Sequence, residues 1–444
     1  MVEALIIAAG QGSRLRKFYS PKPLAPIFGV RLLERIILEA KMAGVRKFKI
    51  VVGYKANKIK REIGNGKKYG VHIEYICNPE WEKGNGVSVL KAKGHMPEKF
   101  LLLMSDHLFD STMLEKLLKY DLEPGHCVLC VDKNLEGDHF ALDDVTKVWA
   151  ENGHIRAIGK EIERYNAVDT GVFMCTSGIF EALEKSIAQG QYSLAAGNQI
   201  LARESRLNTL DVTGHFWVDV DNEEALQKAR EILIRQLFKP TDGPISRTVN
   251  RRLSTRISAY LAQYNVSPNM ITLFSFGLSM LSAALFFMAN YWAVLAAGIT
   301  AQLSSILDGC DGEIARLKFK FSTFGEWLDR ILDRYADGFM ILGMTFASWK
   351  TLGHDWVWLV GFLALTGTFM NSYTAQPYDR LLKKNLINGR QVRLGRDVRI
   401  FIIFLGTLFN QLFMVLMLLA VITNLESIRR IFVLRYGLQL EETI

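Results

Sequence analysis

Cysteine is scarce in this chain, with five residues among 444 and no paired spacing typical of a disulfide framework. The sequence therefore argues against a secreted protein held together by disulfide bonds. Its one C-x-x-C, at Cys127 and Cys130, lies in a predicted strand. Positions i and i+3 of a strand face opposite sides of the sheet, so we expect no zinc there. Charged residues make up 22% and hydrophobic residues 49%, a composition that excludes a disordered chain.

Two further absences concern the first residues. No basic segment precedes the first apolar run at residues 4–9, and that run ends in glycines instead of a small-residue cleavage site. We therefore expect a β-strand there and not a signal peptide. No Gly-Lys-Ser/Thr follows the glycines, which excludes a P-loop.

Strand-like and helix-like segments alternate up to about residue 230. The predicted strands are Ala4–Ala8, Lys47–Val52, Val71–Cys77, Phe100–Met104, Cys127–Val131 and Thr170–Cys175. The predicted helices are Leu32–Ala43, Ser111–Lys119, Ser177–Ile187 and Glu223–Arg235. Several strands are almost wholly apolar, which is typical of a sheet with both faces covered. Residues 1–238 are therefore predicted to form an α/β domain with a doubly wound, mostly parallel sheet.

The composition changes after residue 238. Two prolines and a glycine at 239–244 indicate a linker, and Arg247–Tyr264 predicts an amphipathic juxtamembrane helix, so residues 239–264 would join two domains. Apolar runs that suit transmembrane helices follow at Met270–Ala289, Tyr291–Leu307, Ile341–Leu352 with its upstream turns, Val357–Tyr373 and Ile400–Ile422. The last run is expected to break around Gly406–Asn410. This gives an all-α domain of six transmembrane helices at 265–436, followed by a tail at 437–444.

The net charge of +9 is concentrated beside the apolar runs. The basic segments are Arg247–Arg256, Arg316–Lys320, Arg380–Arg399 and Arg429–Arg435. With six spans all of them fall on one side, which the positive-inside rule makes cytoplasmic. We therefore expect a multi-pass protein of the cell membrane with its N-terminal domain in the cytoplasm. The charge suits the lipid bilayer surface and anionic substrates, and no nucleic-acid partner is expected because no module for one is visible.

A glycine-rich turn follows the first strand. It consists of Ala8, Ala9, Gly10, Gly12, Ser13 and Arg14. Glycine lets the backbone approach a ligand closely, and exposed N–H groups suit phosphate. Lys22 lies between two prolines a few residues later. The segment resembles the nucleotidyltransferases that join a nucleoside triphosphate to a phosphorylated sugar or alcohol, whose pattern is Gly-x-Gly-Thr/Ser-Arg followed by Pro-Lys. The segment between Leu15 and Pro21 is shorter than in the sugar-nucleotide enzymes of that family. By resemblance this favours the cytidylyltransferase branch, with CTP as substrate.

That resemblance covers about residues 3–230 and implies a set of site residues. Arg14 and Lys22 would be catalytic cations. The nucleotide would be bound by Ala8, Ala9, Gly10, Gly12, Ser13, Lys22, Gly84, Gly86 and Ser88. Gly84 and Gly86 fit a plain turn equally well. Lys160 would meet a substrate phosphate and Asp169 would accept from substrate hydroxyls, with a solvated surface lysine as the alternative for Lys160.

Three acidic residues complete this predicted site. Asp106 ends an apolar strand, at the edge where an open sheet binds ligands. Strict alternation over residues 216–222 places Asp219 and Asp221 on one face of a strand. The resemblance implies that Asp106 and Asp219 bind one or two Mg²⁺ ions. Asp221 fits the N-cap of the next helix as well, because Glu224 lies three residues later, so its role stays open.

The strongest pattern lies in the predicted membrane domain. Asp308 and Asp311 are three residues apart, and Asp329 and Asp333 are four apart, so each pair lies on one helical face. A carboxylate deep in a bilayer costs about 2.5–3.5 kcal/mol on insertion scales. These residues therefore need a compensating cation, which two divalent ions would supply. The alternative, aspartates on a solvated loop, is disfavoured because apolar runs adjoin both ends.

The same segment matches the signature of the CDP-alcohol phosphotransferases, D-x-x-D-G-x-x-A-R, eight residues, then G-x-x-x-D-x-x-x-D. This resemblance covers about residues 244–436 and implies that all four aspartates bind metal, with Asp333 also the candidate general base. The nucleotide of a CDP-alcohol would be bound by Gly312, Ala315, Arg316 and Gly325. Asp337 lies one turn beyond the signature and is expected to support the metal ligands from behind, with direct metal binding left open.

A basic cluster follows the fourth apolar run: Arg380, Lys383, Lys384, Arg390, Arg393, Arg396 and Arg399. Membrane topology is its simple role. The alternative is a pocket for an acceptor that carries phosphate, with Lys383, Arg390 and Arg393 as substrate-binding residues.

One half thus resembles an enzyme that makes a CDP-alcohol, and the other half an enzyme that consumes one. The pairing resembles the bifunctional family of inositol-1-phosphate cytidylyltransferases and CDP-inositol inositolphosphotransferases. This implies CTP, inositol 1-phosphate and a CDP-alcohol as ligands, both active sites on the cytoplasmic side, and a homodimer formed through the membrane domain. Two alternatives remain: a lipid acceptor, which would give a phospholipid synthase, and a transporter or membrane scaffold with a vestigial soluble domain.

Overall fold

The structure is a computed structural model that describes residues 2–12, 19–136, 145–238, 243–384 and 394–441. It consists of two compact units, Met1–Leu233 and Ile234–Ile444. The finer division into a linker, a membrane domain and a tail stays a prediction.

The first unit is built around a mixed sheet. Its strands are β1 (Glu3–Ala8), β2 (Pro26–Ile27), β3 (Val30–Arg31), β4 (Lys47–Val52), β5 (His72–Cys77), β6 (Phe100–Met104), β7 (His107–Phe109), β8 (Cys127–Asp132), β9 (Lys147–Glu151), β10 (His154–Gly159), β11 (Ala167–Cys175), β12 (Leu207–Asp211) and β13 (Trp217–Asp219). Among the described residues, nine of them form one sheet in the order β5-β4-β1-β6-β11-β8-β12-β10-β9. Leu5, Phe100 and Phe173 are at most 1% exposed and belong to the core of this unit.

The prediction of a mostly parallel sheet is wrong. The pairs β1–β4, β1–β6, β4–β5 and β8–β12 are parallel, whereas β11 runs antiparallel to β6 and β8, and β9 and β10 form an antiparallel pair. Asn152 and Gly153 join β9 to β10 with positive φ angles of 51° and 81°, as tight hairpin turns require. The error has a physical cause. β8 is buried at every position although it pairs with both parallel and antiparallel neighbours, so a continuous apolar run did not indicate strand direction.

The helices of the first unit are α1 (Leu32–Met42), α2 (Ala56–Ile63), α3 (Asn85–Leu90), α4 (Ser111–Leu118), α5 (Gly178–Ala188), α6 (Leu194–Arg203) and α7 (Glu223–Arg235). Side-chain caps fix where two of them begin. Asp110 accepts from the backbone N–H of Met113 before α4, and Ser193 accepts from that of Ala196 before α6. The predicted strands and helices of this unit are confirmed, with ends shifted by three residues at most.

The second unit is helical. A π-helical turn at Ser246–Asn250 leads into α8 (Arg251–Leu261), α9 (Pro268–Phe287), α10 (Tyr291–Leu317), α11 (Thr323–Leu352), α12 (Trp356–Lys384), α13 (Arg396–Leu408) and α14 (Leu412–Glu441). The predicted break is confirmed, because α13 ends and α14 begins on either side of Asn410, whose φ is +53°. Among the described residues, three helical segments are long and apolar enough to cross a membrane by length and composition: Pro268–Phe287, Tyr291–Leu317 and Leu412–Arg435 of α14.

Candidate active sites

The first cluster of acidic groups lies where three strands of the α/β unit meet. Asp106 lies between β6 and β7, and the short antiparallel pair of β7 and β13 places His107 opposite Asp219. Each of Asp106, His107 and Asp219 offers one atom that could bind a metal ion, and these three atoms lie within 4.8 Å of one another. The structure thus brings together the two predicted metal ligands. The sequence reasoning missed His107, although it directly follows Asp106.

Lys22 is the cation of this cluster. It is 5% exposed, and its Nζ donates to Asp106 Oδ2 at 2.8 Å and to Asp221. Burial alone would lower the pKa of Lys22, but the three surrounding aspartates raise it. Burial would raise the pKa of Asp106, but Lys22 and His107 hold it well below its usual range. The turn before Lys22 needs glycine, because a Cβ on Gly12 would lie 2.6 Å from the Cβ of Lys22 and φ of Gly12 is +62°.

His107 links the two carboxylates that the sequence predicts as metal ligands. Its Nδ1 lies 3.0 Å from Asp106 Oδ1 and its Nε2 lies 3.8 Å from Asp219 Oδ2. Burial would lower the pKa of His107, but Asp219 and Asp106 raise it to about 9. Burial raises the pKa of Asp219 to about 6 despite the charge of His107. Without a metal ion the imidazole is therefore protonated at neutral pH and partly neutralises this cluster.

Asp169 lies close enough to this cluster to interact with His107 and Asp219. Its Oδ1 accepts from the backbone N–H of Gly171 at 2.7 Å, and burial raises the pKa of Asp169 to about 6. Lys160, its predicted companion in the substrate site, is exposed just after the end of β10. The structure therefore places Asp169 beside the candidate metal ligands, and the roles of Asp169 and Lys160 in substrate binding stay predictions.

The predicted nucleotide segment after β5 has a structural reason for its glycines. A Cβ on Gly84 or on Gly86 would lie 2.7 Å from the backbone oxygen of Tyr192, which also accepts from the N–H of Gly86. Ser88 is buried and its Oγ accepts from Asn78 Nδ2 at 2.9 Å. Gly84 directly precedes α3 and Gly86 and Ser88 lie on it, so a plain turn does not describe the segment. Close packing against Tyr192 accounts for both glycines, and nucleotide binding by the segment stays a prediction.

Other predicted nucleotide-binding residues lie in the glycine-rich turn. Ala8 ends β1, and Ala8 and Ala9 are buried. Gly10 is exposed, and a Cβ added to it would have no described atom within 4 Å, so this position has open space beside it. Ser13 and Arg14 lie outside the described residues. Nucleotide binding by this turn stays a prediction.

The capping interpretation of Asp221 is wrong. The backbone N–H of Ala225 donates to the Asn222 side chain at 2.8 Å, while Asp221 pairs with Lys22. The N-cap of α7 is therefore Asn222, one residue later than the sequence predicts. The residue three positions after this cap is Ala225, so Glu224 does not complete a capping box.

The second cluster of acidic groups lies between two helices of the helical unit. Asp308 lies on α10, and Asp329 and Asp333 lie one turn apart on α11. Each offers a carboxylate oxygen, and these three oxygens lie within 4.8 Å of one another. In the described part of the chain, Asp311 is not grouped with them, and its carboxylate accepts from Thr272 Oγ1 at 2.6 Å and from the N–H of Gly312. Metal binding by Asp311 stays a prediction.

An arginine contacts three carboxylates at this cluster. Arg396 Nη1 lies 2.8 Å from Asp333 Oδ1 and 3.2 Å from Asp308 Oδ2, and Arg396 Nε lies 3.1 Å from Asp337 Oδ1. Arg399 Nη2 lies 2.9 Å from the other oxygen of Asp337. Asp337 therefore holds the arginine that spans the aspartates, which fits its predicted supporting role.

The structure does not test the three residues of the basic cluster that are predicted to bind substrate. Arg390 and Arg393 lie outside the described residues, and Lys383 lies in the last turn of α12, where nothing is described of its side chain. The sequence singled out these three, whereas the structure places Arg396 and Arg399 at the aspartates. Sequence spacing does not distinguish Arg396 and Arg399 from the other basic residues of the cluster, because their contact with the aspartates depends on where α13 begins.

A polar cavity of about 400 Å³ adjoins this cluster, with Asp308 and Arg396 in its wall. Its arginines are Arg251, Arg334, Arg396, Arg399, Arg429 and Arg430. Such a concentration of guanidinium groups suits a phosphate-bearing ligand.

The other signature residues lie on α10 and α11 with the aspartates. A Cβ on Gly325 would lie 2.9 Å from Asn269 Oδ1, and Gly312 and Ala315 are three residues apart on α10. Arg316 Nη2 lies 3.5 Å from the backbone oxygen of Leu237. Nucleotide binding by these residues stays a prediction.

Glu313, inside the signature, was not singled out by the sequence and is fully buried. Its carboxylate accepts from Arg251 Nη1, Ser254 Oγ and Ser258 Oγ, each at 2.6 Å. All three donors lie on α8, so Glu313 fastens the predicted juxtamembrane helix to α10.

Both clusters fit a divalent cation. Asp219 Oδ1 and Asp329 Oδ1 are buried with no hydrogen-bond partner among the described residues. Buried polar atoms normally have a partner, and carboxylate oxygens are preferred ligands of Mg²⁺. The identity of the metal is not fixed by these contacts.

Comparison with known proteins agrees with the two-unit organisation. Residues 265–426 match the family described as CDP-alcohol phosphatidyltransferase, and residues 4–194 match the MobA-like NTP transferase domain. These matches confirm the family predicted for each half, and they identify the chain as a nucleotidyltransferase and CDP-alcohol phosphotransferase enzyme.

Individual proteins are similar over the whole chain or over one half. A bifunctional IPC transferase and DIPP synthase from Aquifex aeolicus (strain VF5) is 36% identical over 445 residues, which cover 97% of this chain and 98% of that protein. An archaetidylinositol phosphate synthase from Pyrococcus horikoshii is 31% identical over 180 residues, 40% of this chain and 88% of that protein. The solved structure of the inositol-1-phosphate CTP transferase from T. maritima is 26% identical with a TM-score of 0.48, covering 52% of this chain and 94% of that chain. On the full-length match, the chain belongs to the family of bifunctional IPC transferases and DIPP synthases.

Proposed function

We propose that the chain catalyses two consecutive reactions. In the first, a phosphate oxygen of inositol 1-phosphate attacks the α-phosphorus of CTP, giving CDP-inositol and pyrophosphate. In the second, a hydroxyl of another inositol 1-phosphate attacks the β-phosphorus of CDP-inositol, CMP leaves, and di-myo-inositol phosphate phosphate forms. The carrying observation is that each unit holds its own candidate metal-binding cluster, in a chain similar along its full length to a bifunctional IPC transferase and DIPP synthase.

In the first reaction Lys22 and Asp169 have different tasks. The buried ammonium group of Lys22 is weakly screened by water, so it opposes the charge that develops on the reacting phosphates. Arg14 adds a second cation there. Asp169 accepts from inositol hydroxyls beside Asp219, which keeps the substrate close to the metal ligands.

In the second reaction Asp333 takes the proton of the attacking hydroxyl. Its carboxylate lies against Asp308 and Asp329 and is oriented by Arg396 at 2.8 Å. Arg396 also faces the cavity, so the same guanidinium group can contact the phosphate of the acceptor. The acceptor therefore lies with its phosphate among the arginines and its reacting hydroxyl at Asp333.

We propose Mg²⁺ as the metal at both sites, one or two ions at Asp106 and Asp219 and two at the membrane aspartates. When bound, the ions would neutralise and polarise the phosphoryl oxygens of CTP at the first site and of CDP-inositol at the second. His107 is a further candidate ligand at the first site, in its neutral form.

We further propose six transmembrane helices, α9 to α14, with both active sites on the cytoplasmic side. In that arrangement the basic segments beside α8, α10, α12 and α14 all lie on one side. The 13-residue α13 is about 20 Å long, shorter than the roughly 30 Å hydrocarbon core, so its span would include the turn that follows it. The homodimer through the membrane domain stays part of this proposal.

A radiolabel assay on the purified full-length protein tests the proposal. The mixture contains CTP, Mg²⁺ and labelled inositol 1-phosphate, and no added lipid substrate. We expect release of pyrophosphate, then CMP, with a water-soluble phosphodiester as product. No turnover with inositol 1-phosphate would contradict the substrate assignment, and absence of CMP release with every acceptor would favour a transporter or scaffold.

A lipid acceptor is the second candidate for the helical unit. It is favoured by a shorter relative that is named for a lipid product, the archaetidylinositol phosphate synthase from Pyrococcus horikoshii, which matches 40% of this chain. The same assay separates the two, because label would then pass into the organic phase after lipid is supplied. The arginine-rich cavity favours a phosphorylated acceptor of small size.

A further inference from the structure

An asparagine in the wall of the arginine-rich cavity has an unused hydrogen-bond acceptor. Asn371 lies on α12 and is 2% exposed. It lines the cavity together with Ser372, Ala375 and Tyr378 of the same helix. A buried amide in a predicted transmembrane helix is costly unless it is paired, so its place here calls for a ligand or partner.

The orientation of this amide is determined by a backbone contact. Asn371 Nδ2 donates to the backbone oxygen of Leu394 at 2.9 Å. A flipped amide would place Oδ1 against that oxygen, with two acceptors facing each other. Asn371 Oδ1 therefore remains the unpaired atom, and no described residue donates to it.

The surrounding network connects Asn371 rigidly to the catalytic aspartates. Arg430 Nη1 donates to the backbone oxygen of Asn371 at 2.6 Å. The next residue, Ser372, accepts from Arg399 at 3.3 Å, and Arg399 shares Asp337 with the arginine that contacts Asp333. A ligand bound by Asn371 is thus held in a fixed relation to the proposed general base.

The chemistry of the cavity requires a ligand with two kinds of group. Guanidinium groups attract phosphate oxygens, which cannot donate to an amide oxygen unless they are protonated. The Asn371 oxygen needs a donor, and a hydroxyl group supplies one. We propose that Asn371 accepts a hydrogen bond from a hydroxyl of the phosphate-bearing acceptor and so selects a phosphorylated polyol over other phosphate esters. This inference rests on the proposed function of the helical unit.

The test is a comparison of acceptors on the full-length enzyme supplied with CDP-inositol. CMP release is measured with inositol 1-phosphate and with deoxy analogues that keep the attacking hydroxyl. For the unaltered enzyme we expect the KM of one deoxy analogue to be about 10- to 100-fold higher than that of inositol 1-phosphate, because this analogue leaves the buried Asn371 oxygen unpaired. Asn371→Ala should raise the KM for inositol 1-phosphate by a similar factor, with kcat changed less than about threefold, and should no longer distinguish that analogue.

Two further variants separate specificity from damage to the fold. Asn424→Ala is the matched control, since Asn424 also donates its amide to helix backbone, at Ala420 and Leu363, but is not among the residues that line the cavity. Asn371→Asp keeps an acceptor of the same shape but loses the donor to Leu394 and sets a carboxylate oxygen against that backbone oxygen. It should still distinguish the analogue while raising the KM of every phosphate-bearing acceptor. If neither variant folds, the deoxy analogues on the unaltered enzyme still decide the inference, because equal KM values for all of them would contradict it.

Several results would overturn the inference. An unchanged KM in Asn371→Ala would do so, as would analogue discrimination equal to that of the unaltered enzyme, or the same KM change in Asn424→Ala. Failure of the proposed function looks different, because the unaltered enzyme would then release no CMP with inositol 1-phosphate.

Discussion

The acidic clusters of the two units differ in the cation that lies against them. In the α/β unit the cation is Lys22, whose ammonium group contacts two aspartates through one atom. In the helical unit it is Arg396, whose planar guanidinium group contacts three carboxylates through two nitrogens. An ammonium group is a compact point charge, whereas a guanidinium group fixes the orientation of each partner.

The support behind each cation differs as well. Asp337 holds the guanidinium group of Arg396 through its Nε and is itself held by Arg399. At the other cluster a histidine lies among the carboxylates and carries part of the neutralising charge. The α/β site therefore balances its charge with an ammonium group and an imidazole. In the helical site both cations are guanidinium groups, because Arg334 Nη2 lies 3.4 Å from Asp333 Oδ2 and Arg396 spans all three carboxylates.

Removal of the proposed general base tests whether the two sites are independent, and we expect the largest effect there. Asp333→Asn keeps the shape of the side chain but cannot take a proton. CMP release from CDP-inositol should fall about 10²- to 10⁴-fold, as is typical when a general base is lost. Pyrophosphate release from CTP and inositol 1-phosphate should stay unchanged.

Mixing provides the control for this variant. A mixture of two purified variants, one carrying Asp333→Asn and the other Asp106→Ala, should form the final product if CDP-inositol diffuses between molecules. Each variant then supplies the step that the other lacks. Loss of pyrophosphate release in Asp333→Asn alone would contradict independent sites.

The sequence was most informative where chemistry depends on local spacing. Asp308, Asp329 and Asp333 lie in a signature that needs no tertiary information, and the structure brings them within 4.8 Å. Asp106 and Asp219 are 113 positions apart, yet strand ends and alternation pointed to both. Helix periodicity and apolar runs likewise predicted the order of α9 to α14.

Features that depend on tertiary placement were not predictable. His107 becomes part of the first cluster because β7 pairs with β13, a register that no local pattern encodes. Arg396 differs from its basic neighbours in sequence only by its place at the start of α13. The prediction of strand direction was wrong for the same reason, because burial is similar in parallel and antiparallel strands of a covered sheet.

Removal of the ammonium cation should mirror the result at Asp333. Lys22→Ala leaves Asp106 and Asp221 without their shared partner and removes a charge from the reacting phosphates. Pyrophosphate release should fall about 10²- to 10³-fold, the range for loss of one preorganised electrostatic contact. CMP release from supplied CDP-inositol serves as the internal control and should not change. Unaltered pyrophosphate release would contradict the assignment of Lys22.

Exchange of one cation for the other type tests whether the fork geometry of Arg396 matters. Arg396→Lys keeps the charge but cannot contact three carboxylates from two nitrogens. We expect CMP release to fall about 10- to 100-fold, equivalent to roughly 1.4–2.8 kcal/mol. The matched exchange Lys320→Arg, on the basic segment after α10, should have no such effect. If Arg396→Lys is fully active, charge alone is sufficient and the comparison with Lys22 loses its basis.

The smallest expected effect concerns the histidine that lies among the carboxylates of the first cluster. Gly171 has φ of +73°, and a Cβ there would lie 2.7 Å from His107 Nε2. Gly171→Ala should therefore displace the imidazole from Asp106 and Asp219 and lower pyrophosphate release about 10-fold, corresponding to roughly 1.4 kcal/mol. Gly190→Ala separates this displacement from backbone strain, because φ of Gly190 is +77° with no described atom within 4 Å of the added Cβ. Equal losses of activity in the two variants would mean that backbone strain, and not the position of His107, limits the first reaction.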